Sequence, residues 1–468
     1  MRRTLSAPPP IVSLISLGCS KNTVDSECLL GELVQSGLLI AEDPAESDIC
    51  LVNTCGFIEE ARRETADTLE RLARMRKRGR PGKIVALGCL VERAGQAHGM
   101  HTFLAQADAR VPFHAYRQLP QICRELVRRD SAPGCPGSSA ARDGDFLAFL
   151  KSPRVRIGGA HSAYLKISEG CSNRCRYCAI PAIRGRQVSR PIEDILSEAG
   201  QLIRHGAREI NLVAQDTTRY GLDLYGEPRL PELLRKLGDM EAAAWFRLLY
   251  AHPAHLSDEV IEQLAGSPHL CPYIDLPLQH IADPLLEAMG RKINTRQTMD
   301  LLERIRNKMP QGALRTTFIA GFPGETDAHF AQLLQLVRDG WFMHAGVFTY
   351  SCEPGTPAAE WPDDVSPGEK ERRRAQLLEA QREVSRQKGQ SWVGRTVEVM
   401  LDGVTDRKGS LPRNARAVGR TRLQAPEVDG IVLIVPPRPH PAPRPGDRCQ
   451  VEITEALDYD LVARFLQA

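Results

Sequence analysis

The sequence predicts an α/β protein with an N-terminal parallel α/β domain, a central partial (β/α)6 barrel and a small all-β barrel at the C-terminus. Three observations support this prediction. Apolar runs alternate with helical patterns over residues 11–125, six strand–helix units recur between 163 and 350, and short strands with Gly and Pro turns follow Trp392. The length of 468 residues suits about three domains.

The first domain is predicted over residues 9–125. Its candidate strands are Ile11–Leu17, Asp48–Val52 and Lys83–Leu87, and the helical patterns between them are Val24–Gln35 and Glu59–Arg76. Alternation of this kind indicates a parallel sheet covered by helices. The Pro/Gly/Ser-rich stretch 130–142 breaks the pattern, so we expect a linker over 126–156.

The second domain is predicted over residues 157–388. Its candidate strands are Ala163–Ile167, Glu209–Val213, Phe246–Tyr250, Tyr273–Leu276, Leu314–Ile319 and Gly346–Tyr350, with helices that include Ile192–His205, Asp283–Met289 and Thr298–Lys308. Six units predict an incomplete barrel, since an eight-unit barrel typically needs ~250 residues. Residues 369–388 are highly charged with few apolar positions, which predicts a solvated connecting helix.

The third domain is predicted over residues 389–460. Its candidate strands Thr396–Leu401, Gly430–Val435 and Arg448–Glu455 are short and are separated by Gly and Pro turns, as is typical of a small β-barrel.

Composition excludes several classes of protein. Apolar residues make up 42% and charged residues 25%, which is typical of a globular chain, and 61 Lys+Arg against 58 Asp+Glu gives a net charge of only +3. We therefore expect no stable DNA binding. No apolar run reaches the ~18 residues that span a bilayer, and Ile11–Leu17 is better explained as a buried strand than as a signal peptide, so we expect no membrane partner and a cytoplasmic location.

Thirteen cysteines in such a chain are better explained as reduced thiols than as a disulfide framework. Cys171, Cys175 and Cys178 follow the first strand of the central domain. A CxxxCxxC loop can hold three corners of a cubane iron–sulfur cluster and leave the fourth iron open for chemistry. Half of a zinc site is the alternative, but structural zinc needs four ligands and no second pair follows at zinc spacing.

Cys19, Cys55 and Cys89 form a second group, because each directly follows an apolar strand of the first domain. The carboxyl ends of parallel strands share one edge of the sheet, so these three thiols are expected to lie together there. The sequence thus predicts a second metal site, with buried free cysteines as the alternative.

The first cysteine motif, Glu169-Gly-Cys-Ser-Asn-Arg-Cys-Arg-Tyr-Cys, resembles that of the radical S-adenosylmethionine (SAM) superfamily, whose barrel also has six units. The resemblance implies that the amino and carboxylate groups of SAM chelate the open iron, and that one electron cleaves SAM to a 5′-deoxyadenosyl radical. It implies that Tyr177 packs against the adenine, with an ordinary half-buried aromatic as the alternative. It also places Gly321, in Gly321-Phe-Pro-Gly-Glu-Thr, at the SAM pocket, where a plain turn explains the glycine equally well.

The runs Ser16-Leu-Gly-Cys-Ser-Lys-Asn, followed by Asp25-Ser-Glu, and Asn53-Thr-Cys-Gly-Phe-Ile resemble the N-terminal domain of the methylthiotransferase branch. This resemblance implies that Cys19, Cys55 and Cys89 hold an auxiliary 4Fe–4S cluster, which also has one open iron. It extends to the C-terminal module, which resembles the TRAM domain. The implied cofactors are two 4Fe–4S clusters and SAM.

Two types of methylthiotransferase compete as the interpretation. The RimO type modifies an aspartate of ribosomal protein S-twelve, and the MiaB type modifies an adenosine in tRNA. Three segments resemble the RimO type: Val213-Ala-Gln-Asp-Thr, Asp275-Leu-Pro-Leu-Gln-His and Glu455-Ala-Leu-Asp-Tyr-Asp-Leu. By their positions in these segments, the resemblance also implies that Gln215 and Gln279 belong to the SAM pocket.

The charge of the C-terminal module favours the same type. Residues 391–468 carry 11 Lys+Arg and 10 Asp+Glu, with Glu452, Glu455, Asp458 and Asp460 near the end. A module that binds tRNA gains affinity from an excess of cations that face the phosphates. The almost zero net charge of this module therefore suits a basic ribosomal protein better as the partner. A solvated surface without partner preference is the simpler alternative.

The implied reaction converts the β-carbon C–H of an aspartate to C–SCH3. Acid–base groups cannot break this unactivated bond at neutral pH, so no side chain is assigned as a catalytic acid or base, and a cofactor-generated radical is required. The first triad would generate the radical and the second would present sulfur. The resemblance also implies an external electron donor and a sulfur source that the sequence does not identify. A two-cluster electron carrier is the rival class, but carriers usually give each cluster four protein ligands.

Overall fold

The computed structural model describes residues 8–95, 99–128, 143–240, 244–404, 413, 415–435 and 443–466. The whole Pro/Gly/Ser-rich stretch 130–142 of the predicted linker, which includes Cys135, therefore lies outside the described residues. The N-terminal domain contains strands β1 (Ile11–Ser16), β2 (Leu39–Ile40), β3 (Ile49–Thr54), β4 (Lys83–Gly88) and β5 (Ala109–Val111), and helices α1 (Ser20–Gln35), α2 (Glu59–Arg76), α3 (Cys89–Ala94), α4 (Leu119–Arg128) and α5 (Asp143–Phe149).

The five strands of this domain form one parallel sheet in the order β2-β1-β3-β4-β5. All six residues of β3 are buried, as expected for a central strand covered on both faces. Helix α1 begins at Ser20, four residues before the predicted start, because its first turn is polar yet buried and the apolar pattern begins only at Val24. Helix α5 starts inside the predicted linker, and Phe149 at its end packs into the core of this domain.

The central domain follows. It contains strands β6 (Ser162–Lys166), β7 (Ser168–Glu169), β8 (Val188–Ser189), β9 (Glu209–Val213), β10 (Trp245–Leu248), β11 (Tyr273–Asp275), β12 (Ala313–Ala320) and β13 (His344–Thr349), and helices α6 (Ile180–Arg184), α7 (Ile192–Arg204), α8 (Leu222–Tyr225), α9 (Leu230–Gly238), α10 (Asp258–Gly266), α11 (Asp283–Ala288), α12 (Thr295–Lys308), α13 (Asp327–Arg338) and α14 (Pro367–Gln390).

Six parallel strands of this domain run in the order β6-β9-β10-β11-β12-β13. A parallel bridge between Phe246 and Leu270 joins the two halves, and β6 and β13 form no ladder with each other in the described part of the chain. The predicted six-unit partial barrel is thus confirmed. The antiparallel pair β7–β8, which follows the first strand, was not predicted.

Helix α14 connects the central domain to the C-terminal module. The predicted helix is present, but the expectation that it is solvated is wrong. Leu377 is fully buried in the barrel core, and Gln381 donates to the backbone oxygen of Phe342 at 3.2 Å. One face of a highly charged helix therefore covers the barrel, while its Glu and Arg residues form ion pairs on the other face.

The C-terminal module is a closed barrel of β14 (Thr396–Val404), β15 (Ala417–Arg420), β16 (Val432–Val435), β17 (Arg448–Ala456) and β18 (Leu461–Phe465), in the order β14-β15-β16-β18-β17. The prediction of a small all-β barrel is confirmed, although β15 and β18 were not among the predicted strands. Leu423 and Ala425, between β15 and β16, share a core with Trp245 and Leu249 of the central domain.

The junction between the two barrels is also charged. Glu209, at the start of β9, is fully buried and forms ion pairs with Arg247 at 2.9 Å and with Arg420 at 2.7 Å. Arg420 belongs to β15, so one of the two arginines that compensate the buried charge of Glu209 comes from the C-terminal barrel. Among the helices that the structure describes, none combines the length and apolar character needed to cross a lipid bilayer.

Candidate active site

Cys19, Cys55 and Cys89 lie at the carboxyl ends of three neighbouring strands. Cys19 caps the start of α1 after β1, Cys55 follows β3 directly, and Cys89 is the first residue of α3 after β4. Since these strands are parallel and adjacent, the structure places the three thiols at one edge of the sheet. We call these three residues the auxiliary triad.

Tight loops bring the auxiliary triad together. Gly18 has φ +86°, and a Cβ there would lie 2.7 Å from the Cβ and 2.9 Å from the Sγ of Cys55. Asn22 ties two of the loops, because its Nδ2 donates to the backbone oxygens of Leu17 and Thr54, both at 3.0 Å. The residue types around Cys19 in the sequence are therefore required by the approach of the neighbouring cysteine loops.

The thiols of the auxiliary triad lie in different electrostatic environments. Burial raises the pKa of Cys55 to about 12, and the neighbouring Cys89 and Cys19 thiolates contribute to the rise. Burial would also raise the pKa of Cys19, but the charges of Lys21 and Arg184 outweigh it and lower the pKa. Cys19 is thus the member of this triad whose thiolate the protein itself stabilises most.

Cys171, Cys175 and Cys178 lie in the loop after β7, at the carboxyl end of the first barrel strand. Burial raises the pKa of Cys178 to about 12, and the Cys175 and Cys171 thiolates add to the effect. Arg291 approaches this loop, with its Nη1 3.8 Å from the Sγ of Cys175. We call these three cysteines the barrel triad.

A buried charge network connects the auxiliary triad to Glu169, just before the barrel triad. Nε and Nη2 of Arg184 each donate to the Sγ of Cys89 at 3.3 Å, although Arg184 ends helix α6 of the central domain. The same guanidinium donates to Glu169 at 2.8 Å and to Asp25 at 3.1 Å. Lys166 of β6 forms ion pairs with both Asp25 and Glu169. The N-terminal and central domains are therefore connected through a cation that contacts a cysteine of the auxiliary triad.

Gln215, which sequence analysis assigned to the SAM pocket, contacts this network. Its Nε2 donates to Glu169 at 2.9 Å, while its Oε1 is buried without a hydrogen-bond partner among the described residues. A buried acceptor without a partner is costly, so its presence is consistent with a ligand that donates to it.

Of the other assigned SAM-pocket residues, Tyr177 lies in the loop of the barrel triad, Gln279 follows β11 and Gly321 follows β12. Tyr177 packs edge-on against Phe322, with ring centroids 6.4 Å apart, next to Gly321. A Cβ at Gly321 would lie 2.2 Å from the Cγ of Lys370, so packing of α14 already requires this glycine. Gln279 has φ +71°, and its backbone pairs with β12. Tyr177 and Gly321 are thus neighbours, and their role in binding SAM stays a prediction.

Several residues at this interface were not predicted from the sequence. Tyr250 has φ +61°, which is strained for a tyrosine, and the Nζ of Lys21 lies 3.2 Å from its ring centroid. Lys166 and Arg184 were missed too. The one available signal was a lysine inside the otherwise buried strand pattern 163–167, since buried charges need partners.

The donor sets fit iron–sulfur clusters. Among the described residues, no three Cys, His, Asp or Glu side chains converge as they would around one metal ion. A cubane does not need such convergence, because each cysteine binds a different iron. Each triad offers three thiols within electrostatic reach of one another, and each has an arginine beside a sulfur, which suits an anionic cluster.

Three family models match this chain. Residues 165–337 match the radical SAM superfamily, residues 12–106 match the Uncharacterized protein family UPF0004, and residues 393–466 match the TRAM domain. The predicted fold class is confirmed, including the radical SAM type of the central barrel and the TRAM assignment of the C-terminal one.

Solved structures support the fold. The radical S-adenosylmethionine methyltransferase TsrM from Kitasatospora setae, with cobalamin and a 4Fe–4S cluster bound, matches with a TM-score of 0.55 at 16% identity, covering 75% of this chain and 74% of that one. At this identity the likeness concerns the fold alone.

Curated relatives match over nearly the full length. The ribosomal protein uS12 methylthiotransferase RimO of Desulforamulus reducens is 41% identical over 459 residues, which cover 98% of this chain and 100% of the relative. The protein of the same name from Syntrophus aciditrophicus is 42% identical over 462 residues, covering 98% of each chain. The chain therefore belongs to the RimO family of radical SAM methylthiotransferases.

Proposed function

We propose that this protein replaces a β-carbon hydrogen of an aspartate in ribosomal protein uS12 with a methylthio group, and that it does so in the cytoplasm. The observation that carries the proposal is that Arg184 of the central domain contacts Cys89 of the auxiliary triad and Glu169, two residues before the first cysteine of the barrel triad. A single triad suffices for radical generation, whereas sulfur insertion needs a second site that faces the first. The names of the relatives supply the substrate.

The barrel triad would hold the cluster that works with SAM, and the auxiliary triad would hold the second cluster. When bound, the first cluster would supply the electron for the radical chemistry of SAM, and the second cluster would present sulfur. The side chains of the protein itself position the reacting groups and exclude water from them. Buried Lys166 and Arg184 neutralise Asp25 and Glu169 without solvent, and Gln215 presents a free acceptor beside them.

The acidic end of the C-terminal barrel does not support this substrate. Glu452 pairs with Arg464 at 2.8 Å, Glu455 with Arg413 at 2.8 Å and Asp458 with Arg382 at 3.6 Å. These acids are neutralised within the chain, so they leave little surplus charge for a basic partner. The preference for uS12 over tRNA rests on the relatives and on the motifs.

The test is anaerobic incubation of the reconstituted, reduced protein with SAM and either small ribosomal subunits or tRNA. Mass spectrometry should show a gain of about 46 Da on uS12, the mass of sulfur plus CH2. The Cys89→Ala variant should give no methylthiolated product. Cys123→Ala is the matched control, since Cys123 is equally buried in the same domain but belongs to neither triad. Methylthiolated tRNA beside unmodified uS12 would contradict the proposal.

A further inference from the structure

A cavity of about 320 Å³ lies beside the barrel triad. One wall is formed by Ser172–Arg174, between the first two cysteines of the loop. The other walls come from segments that follow β9, β10 and α11, among them Arg219, His252, His255 and Lys292. These segments are at the carboxyl edge of the barrel, so a molecule in the cavity lies next to the loop that would carry the radical-generating cluster. The volume is in the range of small-ligand sites.

The lining of this cavity has a surplus of positive charge. Arg174, Arg219 and Lys292 line it, and their side chains form no ion pair or hydrogen bond with any residue that the structure describes. The nearby carboxylate of Asp216 is already satisfied, because Asn173 Nδ2 donates to it at 2.6 Å and the backbone N–H of Thr218 at 2.9 Å. The cations of the cavity are therefore free to pair with an anion from outside the chain.

Two neutral histidines add hydrogen-bonding groups. His252 is only 8% exposed and stacks on His255, with ring centroids 4.8 Å apart. Burial, with the charge of Arg291 next in effect, lowers the pKa of His252 to about 2, so the ring is neutral at physiological pH. Because the N–H of Ala254 donates to its Nδ1 at 3.2 Å, the ring proton is on Nε2. This N–H has no partner among the described residues.

The proposed reaction calls for such a site. The β-carbon of an aspartate is bonded to its carboxyl carbon, so presenting the β-carbon at the barrel mouth also brings the carboxylate there. A carboxylate removed from water needs a cation and hydrogen-bond donors. The resemblance to radical SAM enzymes assigns the SAM carboxylate to the open iron, and the adenosine part has no anionic group. The free cations of the cavity are therefore left for the substrate.

We propose that this cavity binds the side-chain carboxylate of the substrate aspartate, with half-buried Arg219 as its principal partner and His252 Nε2–H as a donor. Arg174 and Lys292, which are exposed, contribute charge at the rim. The inference rests on the proposed function and adds to it the group that the enzyme recognises.

The test measures kcat/KM of the wild-type, Arg219→Gln and Arg219→Lys enzymes. Each enzyme is assayed on two forms of purified uS12, one natural and one with asparagine at the target position. Arg338→Gln is the matched control, because Arg338 is an exposed arginine at the end of α13, which leads from the carboxyl end of β12 to the start of β13 and so ends at the edge opposite the cysteines. Iron content and the 5′-deoxyadenosine formed without uS12 normalise each preparation for active enzyme.

We expect Arg219→Gln to lower kcat/KM for the aspartate form at least about tenfold and for the asparagine form less than about threefold, since only the aspartate form loses an ion pair. Arg219→Lys should recover part of the loss, and Arg338→Gln should match wild type. Equal losses for both forms in Arg219→Gln would overturn this inference alone. A wild-type enzyme that gives no product on natural uS12 would overturn the proposed function, and this inference with it.

Discussion

The side chain of Arg184 links the N-terminal and central domains. Two of its nitrogen atoms lie 3.3 Å from the sulfur of Cys89, and Glu169 and Asp25 hold the guanidinium in place. N–H groups that point at a cluster sulfur stabilise the more negative, reduced form of the cluster. We therefore expect this arginine to set the reduction potential of the auxiliary cluster from the neighbouring domain.

Replacing Arg184 with lysine keeps the charge but removes the two-pronged donation to Cys89. With each charge-assisted hydrogen bond worth about 1.5–3 kcal/mol, we expect the reduction potential of the auxiliary cluster to fall by on the order of 100 mV. An EPR-monitored redox titration measures this shift. Arg186→Lys is the control, because Arg186 is exposed two residues away. An unchanged potential in Arg184→Lys would show that the contact has no electronic effect.

The grouping of the six cysteines into two triads could be predicted from sequence because their neighbours carry local signals, a short spacing in one triad and a strand before each member of the other. Arg184 could not be assigned. Its contact with Cys89 joins residues 95 positions apart in different domains, and it exists only because the domains dock with this geometry. The strained backbone of Tyr250 could not be predicted either, since its positive φ arises only in the folded chain.

The loop between β1 and α1 illustrates how secondary structure positions the auxiliary triad. A side chain at Gly18 of this loop would collide with Cys55. Its φ of +86° and its lack of a side chain are both needed there, whereas Gly37, with φ +79°, has open space around it. The two glycines share a conformation and differ only in what surrounds them.

Gly18→Ala should therefore disrupt the auxiliary triad, and Gly37→Ala should not. We expect the iron content after reconstitution to fall from about eight atoms per chain to about four in Gly18→Ala, with the SAM-responsive EPR signal retained. Gly37→Ala should keep both clusters and lose only about 1 kcal/mol of stability from backbone strain. Iron analysis with EPR measures both. Full iron loading of Gly18→Ala would contradict the role given to this loop.

Most strands of the two α/β domains were predictable because buried parallel strands are short apolar runs between helical patterns. Strand β15 was missed because its four residues include a glycine and an arginine, and the arginine is buried through ion pairs with Glu209 and Asp402. Helix α14 was predicted as a helix, but its packing was not, since Leu377 and Gln381 make contacts that its charged composition does not suggest.

The three domains depend on one another for charge compensation as well as for packing. Glu209 lies between Arg247 of its own barrel and Arg420 of the TRAM barrel. Burial alone would raise its pKa, but the charges of Arg420 and Arg247 lower it to about 2. This carboxylate therefore contributes to stability above its ordinary pKa of 4.5, and the contribution is lost as the pH falls toward 2.

We expect Glu209→Gln to lower the melting temperature at neutral pH and to flatten the loss of stability between pH 4.5 and pH 2. The pH-dependent part is on the order of 3 kcal/mol, at about 1.4 kcal/mol per pKa unit. Thermal unfolding of the full chain across this range measures it. Glu452→Gln is the control, because Glu452 belongs to an ion pair with Arg464 nearer the surface. An equally steep acid dependence in Glu209→Gln would contradict the assignment.

The TRAM barrel is not a detachable module, because Met400, Leu423 and Ala425 share a buried core with Trp245 and Leu249 of the central barrel. A chimaera that carries the TRAM barrel of another methylthiotransferase would need equivalents of these apolar residues and of Arg420. Without them, Glu209 would be buried with Arg247 alone. Changing what this barrel binds by domain shuffling is therefore limited by folding as well as by recognition, and point substitutions on its outer face are the safer route to new specificity.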